Sequence, residues 1–187
     1  MKTTYLAAIL VGASLVAAPP ASLAQEEGKS KASELTSESQ AALQALYANT
    51  PVAKQLGPKA VAILVFPEVK KAGLGIGGQY GEGALLENGK PTAYYKTTGA
   101  SVGLQVGAQK YGYAMFFMNA KALDEFKKAS GFEVGVGPSV VLVDEGMAKT
   151  ATTTTMKDDI YAFVFGQKGL MAGLGIQGNK ITAIKPK

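Results

Sequence analysis

A glycine-rich heptapeptide that occurs twice is the feature that most constrains how this chain can fold. Residues 72–78 read AGLGIGG, and residues 172–178 read AGLGIQG. Each copy follows an apolar run that ends in an aromatic residue, at 62–66 in the first copy and at 162–165 in the second. A short lysine-bearing connection joins the run to the glycine motif in both copies. The repetition predicts one hairpin that is used twice, with lysines in its turns.

The first copy also contains the pattern G-x-G-x-x-G, which in dinucleotide-binding proteins lies between a strand and a helix. Residues 79–89 are rich in glycine and end in the hairpin dipeptide Asn-Gly at 88–89, so no helix is expected to begin there. Glycine occupies every second position from 73 to 77, with Leu74 and Ile76 between, which is strand periodicity with one bare face. The motif therefore predicts close backbone packing in a strongly bent sheet.

The first residues have the pattern of a secretory signal peptide. Lys2 supplies a positive charge, residues 5–18 are apolar, and two prolines and a small-residue cleavage site follow. The apolar run is shorter than the roughly 20 residues that span a bilayer. We therefore expect an exported, periplasmic protein that is at most peripheral to a membrane. Its expected parts are a signal peptide at 1–24, a flexible lead-in at 25–32 and a single domain at 33–187.

The composition argues against most enzymes. The chain has no histidine and no cysteine, so it lacks the commonest general base, the commonest transition-metal ligand and the best nucleophile. Residues 99–103 match G-x-S-x-G, but a catalytic triad around Ser101 requires a histidine. A dyad of Ser101 with a lysine and the adjacent Asp158 and Asp159 are the remaining candidates, and neighbouring residues of a strand point to opposite faces. We expect no enzyme activity, no metal site and no cofactor.

All basic residues of the chain are lysines. Without Lys2, 18 lysines stand against 14 carboxylates, which leaves a net charge of +4. Arginine, the usual reader of guanine edges and bidentate phosphates, is absent, so sequence-specific nucleic-acid recognition is not expected. The lysines are suited to diffuse attraction towards anionic headgroups.

Two helices are expected before the sheet. From Ser33, a plausible N-cap, the spacing becomes helical, because Leu35, Ala42 and Leu46 share one stripe. This stripe predicts a helix that packs on the sheet. The polar face is acidic, which makes a membrane-surface role for this helix the less favoured alternative. Thr-Pro at 50–51 predicts the start of a second, short helix.

About ten strands with short connections follow. An apolar run at 60–66 predicts a central strand ended by Pro67, and Asn119 caps a helix inserted between strands. The expected fold is α+β, with a strongly bent, mostly antiparallel sheet that curls into a barrel or half-barrel. The remaining predicted strand segments are the first glycine motif, 82–87, 91–97, 100–110, 111–118, 132–143, the second hairpin at 160–178 and 180–184. The threonine-rich segment 150–155 is expected to be an exposed strand or a flexible connector.

Several ordered motifs occur along the chain, namely AILVFP at 62–67, KAG at 71–73, GGQYG at 77–81, GASVGLQ at 99–105 and KGLMAG at 168–173. Together they resemble the SYLF domain, also called the Ysc84 or Las17-binding actin-regulator family, from about residue 33 to residue 184. The resemblance implies a lipid-binding module, since eukaryotic members bind phosphoinositide membranes and, in fungi, actin. Exported bacterial members resemble stand-alone copies of this module.

An anionic phospholipid or membrane surface is the partner that the resemblance implies for an exported copy. Neither actin nor phosphoinositides are expected partners in that compartment. The candidate lipid-binding residues are the lysines of the two expected hairpin turns and those before the first helix, namely Lys29, Lys31, Lys70, Lys71 and Lys168. The alternative for each is a solvated lysine that keeps the protein soluble.

Gln177 is the main departure from the family pattern, which commonly has Glu at this position. Any role that depends on that carboxylate is therefore not carried over. The main alternative to lipid binding is an interaction or structural protein of the cell envelope, which binds another envelope protein through the sheet or the leading helix.

Overall fold

The computed structural model describes residues 21–134, 140–143, 157–169 and 178–186. The helices are α1 (Ala21–Asn49), α2 (Pro51–Leu56) and α3 (Ala120–Lys128), with a 3-10 turn at Gly57–Lys59. The strands are β1 (Ala62–Glu87), β2 (Lys90–Phe117), β3 (Phe132–Glu133), β4 (Val140–Val143), β5 (Ile160–Gly169) and β6 (Lys180–Ile184).

The sheet is built around β2. β1 pairs with β2 along nearly its whole length, while β6 and β5 pair with the other edge of β2, near its beginning and its end respectively. β3 extends the sheet from β6, and β4 lies parallel to β5 in an otherwise antiparallel sheet. This arrangement confirms the expected α+β class with a strongly curled, half-barrel sheet.

The described residues form six strands, fewer than the expected count of about ten. The reason is that β1 and β2 each continue through positions where the sequence suggested a break. Pro67 does not end the first strand, because a register shift between Phe66 and Val69 accommodates it within β1. The first copy of the repeat is therefore one continuous strand, and the hairpin predicted between the apolar run and the glycine motif is wrong.

The Asn-Gly dipeptide does form the predicted hairpin between β1 and β2. Asn88 has φ 51° and Gly89 has φ 74°, the two positive values that a tight type I′ turn requires. β1 continues without a turn up to Glu87. The glycine motif is therefore followed by more strand, as expected, and not by the helix of a dinucleotide-binding loop.

Two glycines explain how β1 folds back against itself. A Cβ on Gly83 would overlap the backbone of Val65, and a Cβ on Gly81 would overlap the backbone of Glu68 and the side chain of Val69. The second half of β1 therefore crosses the first half at a distance that only glycine permits. Gly81 and Gly83 follow the 72–78 motif for which close packing was predicted; at Gly78, within that motif, the nearest atom to an added Cβ is 3.9 Å away.

Side chains of β1 and β2 contribute to two cores on opposite faces of the sheet. The face that carries α3, named the α3 face, contains Leu64 of β1 and Phe126 of α3. The other face, named the α1 face, contains Val65 of β1 and Leu46 of α1. Alternation along the strands thus decides which residues meet which helix.

Helix α1 packs on the sheet as the apolar stripe predicted. Leu35, Leu43 and Leu46 are buried, and the buried Ser39 donates a hydrogen bond to the carbonyl of Val65 at 3.3 Å. Residues 21–32 also belong to α1, so the helix extends in the N-terminal direction past the start predicted at Ser33. The segment 25–32, expected to be a flexible lead-in, is therefore helical, because it is rich in Ala, Glu, Gln and Lys, which favour helix.

The two shorter helices also follow their predicted start signals. Thr50 precedes α2 with extended backbone, and proline occupies the first position. Asn119 caps α3 by accepting a hydrogen bond from the amide of Ala122 at 2.9 Å. In the described part of the chain, no helix is both long enough and apolar enough to cross a bilayer.

Three predictions concern residues outside the described ranges. They are most of the signal peptide at 1–24, the threonine-rich segment at 150–155, and the second glycine motif at 172–178 with Gln177, apart from Gly178.

Candidate functional site

Three lysines from adjacent strands form a row across the sheet, named the lysine row. Lys70 of β1 lies opposite Lys110 of β2, and Lys110 lies opposite Lys168 of β5. Neighbouring strands are about 4.8 Å apart, so the register places three ammonium-bearing side chains side by side. The two apolar runs of the repeat are likewise neighbours of the same part of β2, because Leu64 and Ala162 both pair with Met115.

The lysine row lies on the α1 face and is open to solvent. The side chains of Lys70 and Lys110 are 67% and 55% exposed, and Lys168 is also exposed. The residues beside them in sequence, such as Val69 and Tyr111, are buried on the opposite face. Strand alternation therefore places charged, solvent-exposed side chains on one face of this region and buried side chains on the other.

Glu68 partly neutralises the row. Its carboxylate accepts hydrogen bonds from the ammonium of Lys110 at 3.1 and 3.2 Å, and the Lys70 ammonium lies 3.4 Å away. The Lys110 ammonium, with a smaller effect from Lys70, lowers the pKa of Glu68. Within the described residues, Lys168 makes no salt bridge. The row therefore carries three positive charges against one negative charge.

Like charges directly opposite one another destabilise a sheet. Glu68 offsets part of this cost for the lysine row, and a further anion is needed to offset the rest. Because the row is exposed, the compensating group can come from outside the protein, and an array of anions matches the spacing of the ammonium groups better than a single one. The geometry is suited to an anionic surface.

A cleft of about 640 Å³ lies next to the row, between α1 and β1. Lys70, Glu68, Tyr80 and Glu82 of β1 are among the residues that line it. Tyr80 is 47% exposed and donates a hydrogen bond to Glu82, an interaction that raises the pKa of Tyr80 to about 12. The remaining lining residues are Leu35, Glu38, Ala41, Ala42, Pro67 and Gly81.

The structure brings together only some of the lysines expected to act together. Lys70 and Lys168 lie in the row, although within strands and not in turns. Lys71 does not belong to the exposed surface, because it is only 5% exposed and lies on the α3 face. Lys31 is exposed one helical turn before the cleft residue Leu35, and Lys29 lies on α1.

The residues considered for catalysis have structural surroundings. Ser101 lies within the continuous strand β2, whereas a nucleophile elbow requires a turn from strand to helix. Asp158 accepts a hydrogen bond from the Tyr161 hydroxyl at 3.2 Å, and Asp159 accepts one from Asn119 at 2.5 Å. Among the residues whose positions are described, no group of three side chains is arranged to hold a metal ion.

Sequence reasoning missed Lys110 and Glu68 as parts of the site. Lys110 is the middle member of the row. Which residues lie opposite it depends on register shifts at 66/69 and 110/112, which the sequence did not reveal. The only sequence signal was a Glu-x-Lys spacing at 68–70, which places two side chains on one face of a strand.

Comparison with known families relates the second half of the chain to one of them. The model of a family described as Ysc84, Las17-binding protein actin regulator, matches residues 98–186, slightly less than half of the 187 residues. The matched segment contains Lys110 and Lys168 but not Lys70. No curated protein matches the chain.

Proposed function

We propose that this protein, of which residues 98–186 match the Ysc84 family model, is a binding module for anionic phospholipid surfaces. Its contact surface is the lysine row of Lys70, Lys110 and Lys168, with Lys31 beside it on α1. The protein acts without catalysis, by electrostatic attachment. The predicted signal peptide would deliver it to the periplasm, where it would be peripheral to a membrane.

The observation that supports this proposal best is the in-register row of three exposed lysines. A lysine near an anionic membrane surface contributes about 1 kcal/mol to binding. Three such residues, with Glu68 opposing them, give attachment that is weak and sensitive to salt, because the Debye length is about 8 Å at physiological ionic strength.

Vesicle flotation with the full chain tests the proposal. The vesicles are phosphatidylcholine alone or phosphatidylcholine mixed with phosphatidylglycerol, at low and at high salt. We expect binding to the mixed vesicles at low salt, and loss of that binding at high salt. The double variant Lys110→Gln/Lys168→Gln should bind about thirtyfold more weakly, because it loses about 2 kcal/mol.

A matched control is the double variant Lys90→Gln/Lys128→Gln. It removes the same charge from exposed lysines at the β1–β2 hairpin and on α3, away from the row. Binding by this control should remain close to that of the unmodified chain. Equal losses in the two double variants would show that only net charge matters and would contradict a defined contact surface. No preference for acidic vesicles at low salt would refute lipid attachment altogether.

The cleft supports a second candidate function, the binding of another envelope protein. Three carboxylates, from Glu38, Glu68 and Glu82, and the exposed Tyr80 ring line it. A basic peptide segment with an apolar residue fits this chemistry. This function would be favoured if the chain ignored vesicles but captured an envelope protein, and if Tyr80→Ala abolished the capture.

A further inference from the structure

A cluster of polar side chains is buried on the α3 face, opposite the lysine row. Four members are almost fully inaccessible, since Thr97 is 0%, Asn179 2%, Gln109 4% and Lys71 5% exposed. The face around them is otherwise apolar, with Val69, Leu85 and Tyr95 in the same core. The cluster, named the buried polar cluster, consists of Lys71, Thr97, Gln109, Tyr111, Tyr113 and Asn179.

Register and hydrogen bonds connect the members of this cluster. Lys71 lies opposite Gln109, and Tyr111 and Tyr113 follow Gln109 on the same face of β2. The Tyr111 hydroxyl donates to the side-chain carbonyl of Gln79 at 2.7 Å, and the amide of Gln79 donates to Asn179. The cluster therefore extends from β1 through β2 to the residue that precedes β6.

Gly99 leaves room for this arrangement because it has no side chain. A Cβ at that position would overlap the side chains of Asn179 and Gln79. The glycine thus lets two amide side chains lie directly over the backbone of β2. Thr97 faces the same side two residues earlier, paired with Ile181, so its hydroxyl is on the same strand face.

Four buried polar atoms of the cluster have no hydrogen-bond partner within the described part of the chain. They are Thr97 Oγ1, Gln109 Oε1, Tyr113 Oη and Asn179 Nδ2. Buried polar groups are normally paired, and each exception requires an explanation such as a bound molecule or ion. All four lie on one face of the sheet, which makes a shared bound molecule a single explanation for them.

The charge of the cluster identifies the kind of ligand. Lys71 is 5% exposed as a residue and makes no salt bridge within the described ranges, so its positive charge is available to a bound anion. Burial raises the pKa of Tyr111 to about 12 and also raises that of Tyr113, so both hydroxyls remain protonated. The Tyr111 hydroxyl already donates to Gln79, and the Tyr113 hydroxyl is left able to donate to a ligand. The cluster is thus rich in donors and carries one positive charge.

We propose that the buried polar cluster binds an oxyanion, the phosphate or carboxylate group of a small polar molecule. Lys71 supplies the counter-charge, and Tyr113, Thr97 and Asn179 donate hydrogen bonds to the anion. Gln109 accepts a hydrogen bond from a neighbouring hydroxyl of the ligand. This site is independent of the lysine row, since it lies on the other face of the sheet.

Titration calorimetry of the full chain with inorganic phosphate, acetate and glycerol 3-phosphate, at constant ionic strength in chloride, tests this site. We expect saturable binding of at least one oxyanion and none of chloride. Glycerol 3-phosphate bound more tightly than inorganic phosphate would identify a lipid headgroup as the source, and the reverse order would identify free phosphate. The tyrosines report the same event by near-ultraviolet absorption, because the chain has no tryptophan.

Variants of adjacent lysines separate the two sites. Lys71→Gln should weaken oxyanion binding at least tenfold and leave vesicle binding unchanged. Lys70→Gln should weaken vesicle binding and leave oxyanion binding unchanged. Thermal denaturation shows whether Lys71→Gln is folded. If it is not, Tyr113→Phe is the second variant. It removes one hydroxyl from an apolar setting and should still reduce oxyanion affinity several-fold.

The proposal would be overturned if none of the three oxyanions bound saturably. Ordered water would then be the partner of the buried polar atoms. Binding that neither Lys71→Gln nor Tyr113→Phe alters would place the oxyanion elsewhere and overturn it equally.

Discussion

Lys70 and Lys71 are neighbours in sequence, but their side chains lie on opposite faces of the sheet. One is 67% exposed beside Glu68, and the other is 5% exposed opposite Gln109. A turn would have exposed both, whereas a strand sends consecutive residues to different environments. The same dipeptide thus serves a surface of exposed charge and a buried polar cluster.

The titration of Glu68 should report the pairing within the lysine row. Because Lys110 and, more weakly, Lys70 favour the charged form, the midpoint should lie below the usual 4.5. Lys110→Gln should move it upward. Carbon-detected NMR of the Glu68 carboxyl measures both values. The pairing stabilises the fold above the unfolded-state pKa and is lost as the pH falls through the lowered one, and the exposure of Glu68 keeps this contribution small.

Glu68→Gln should strengthen binding to acidic vesicles. The carboxylate opposes anionic headgroups and holds the ammonium groups of Lys110 and Lys70. Its removal should raise the affinity about fivefold, the equivalent of about 1 kcal/mol for one charge near the membrane. Flotation at low salt measures the change.

Glu125→Gln, an exposed carboxylate on α3, is the matched control and should change the affinity little. A weaker affinity in Glu68→Gln would mean that the carboxylate orients the lysines for binding rather than opposing the surface.

At the scale of elements, the long strands β1 and β2 decide the shape of the sheet. β1 must cross itself, and Gly83 lies at the closest approach. Gly83→Ala should destabilise the fold by about 1 to 3 kcal/mol or more, because the added Cβ would overlap the backbone of Val65 and the ring of Phe66. Urea denaturation followed by circular dichroism measures the loss.

Gly78→Ala is the matched control on the same strand. The nearest atom to its added Cβ is the carbonyl oxygen of Gly99 at 3.9 Å, an ordinary contact. Its effect should lie within about 0.5 kcal/mol, as for other substitutions that meet no neighbour. Equal costs at the two positions would mean that glycine is needed for strand flexibility rather than for close approach.

Local signals in the sequence predicted the local elements well. The hairpin at 88–89, the cap at Asn119, the strand at 180–184 and the stripe of α1 all depend on contacts within a few residues. Strand continuity through Pro67 was not predictable in the same way. A proline ends a strand only if its missing amide is needed by a neighbour, and that depends on a bulge in the pairing with β2.

The candidate site was less predictable than the fold for the same reason. Lys70 and Lys168 could be selected by their positions in the repeat, but their meeting through Lys110 depends on the register of three strands. The buried polar cluster was missed because Gln109, Tyr111 and Asn179 are distant in sequence and resemble ordinary surface residues. Register shifts move whole faces, and no pattern in the sequence fixes them.

At the scale of the molecule, one sheet supports two cores. Leu64 and Val65 are adjacent in β1 and belong to different cores, and Phe117 and Phe116 of β2 alternate in the same way. The two cores share the backbone of these strands, because consecutive residues of β1 and β2 belong to different cores. The lysine row and the buried polar cluster are therefore held by the same backbone.

The shared strands predict that the domain unfolds as one cooperative unit. Leu46 anchors α1 in one core and Phe126 anchors α3 in the other, and each is 1% exposed. Leu46→Ala should cost about 2 to 5 kcal/mol and Phe126→Ala about 3 to 5 kcal/mol. Each should shift a single urea transition in which far-ultraviolet and tyrosine near-ultraviolet signals coincide.

Gln44→Ala, on the exposed side of α1, should leave the midpoint almost unchanged. Two separate transitions in either core variant would show that the cores unfold independently, and the sheet would then not be the element that couples them.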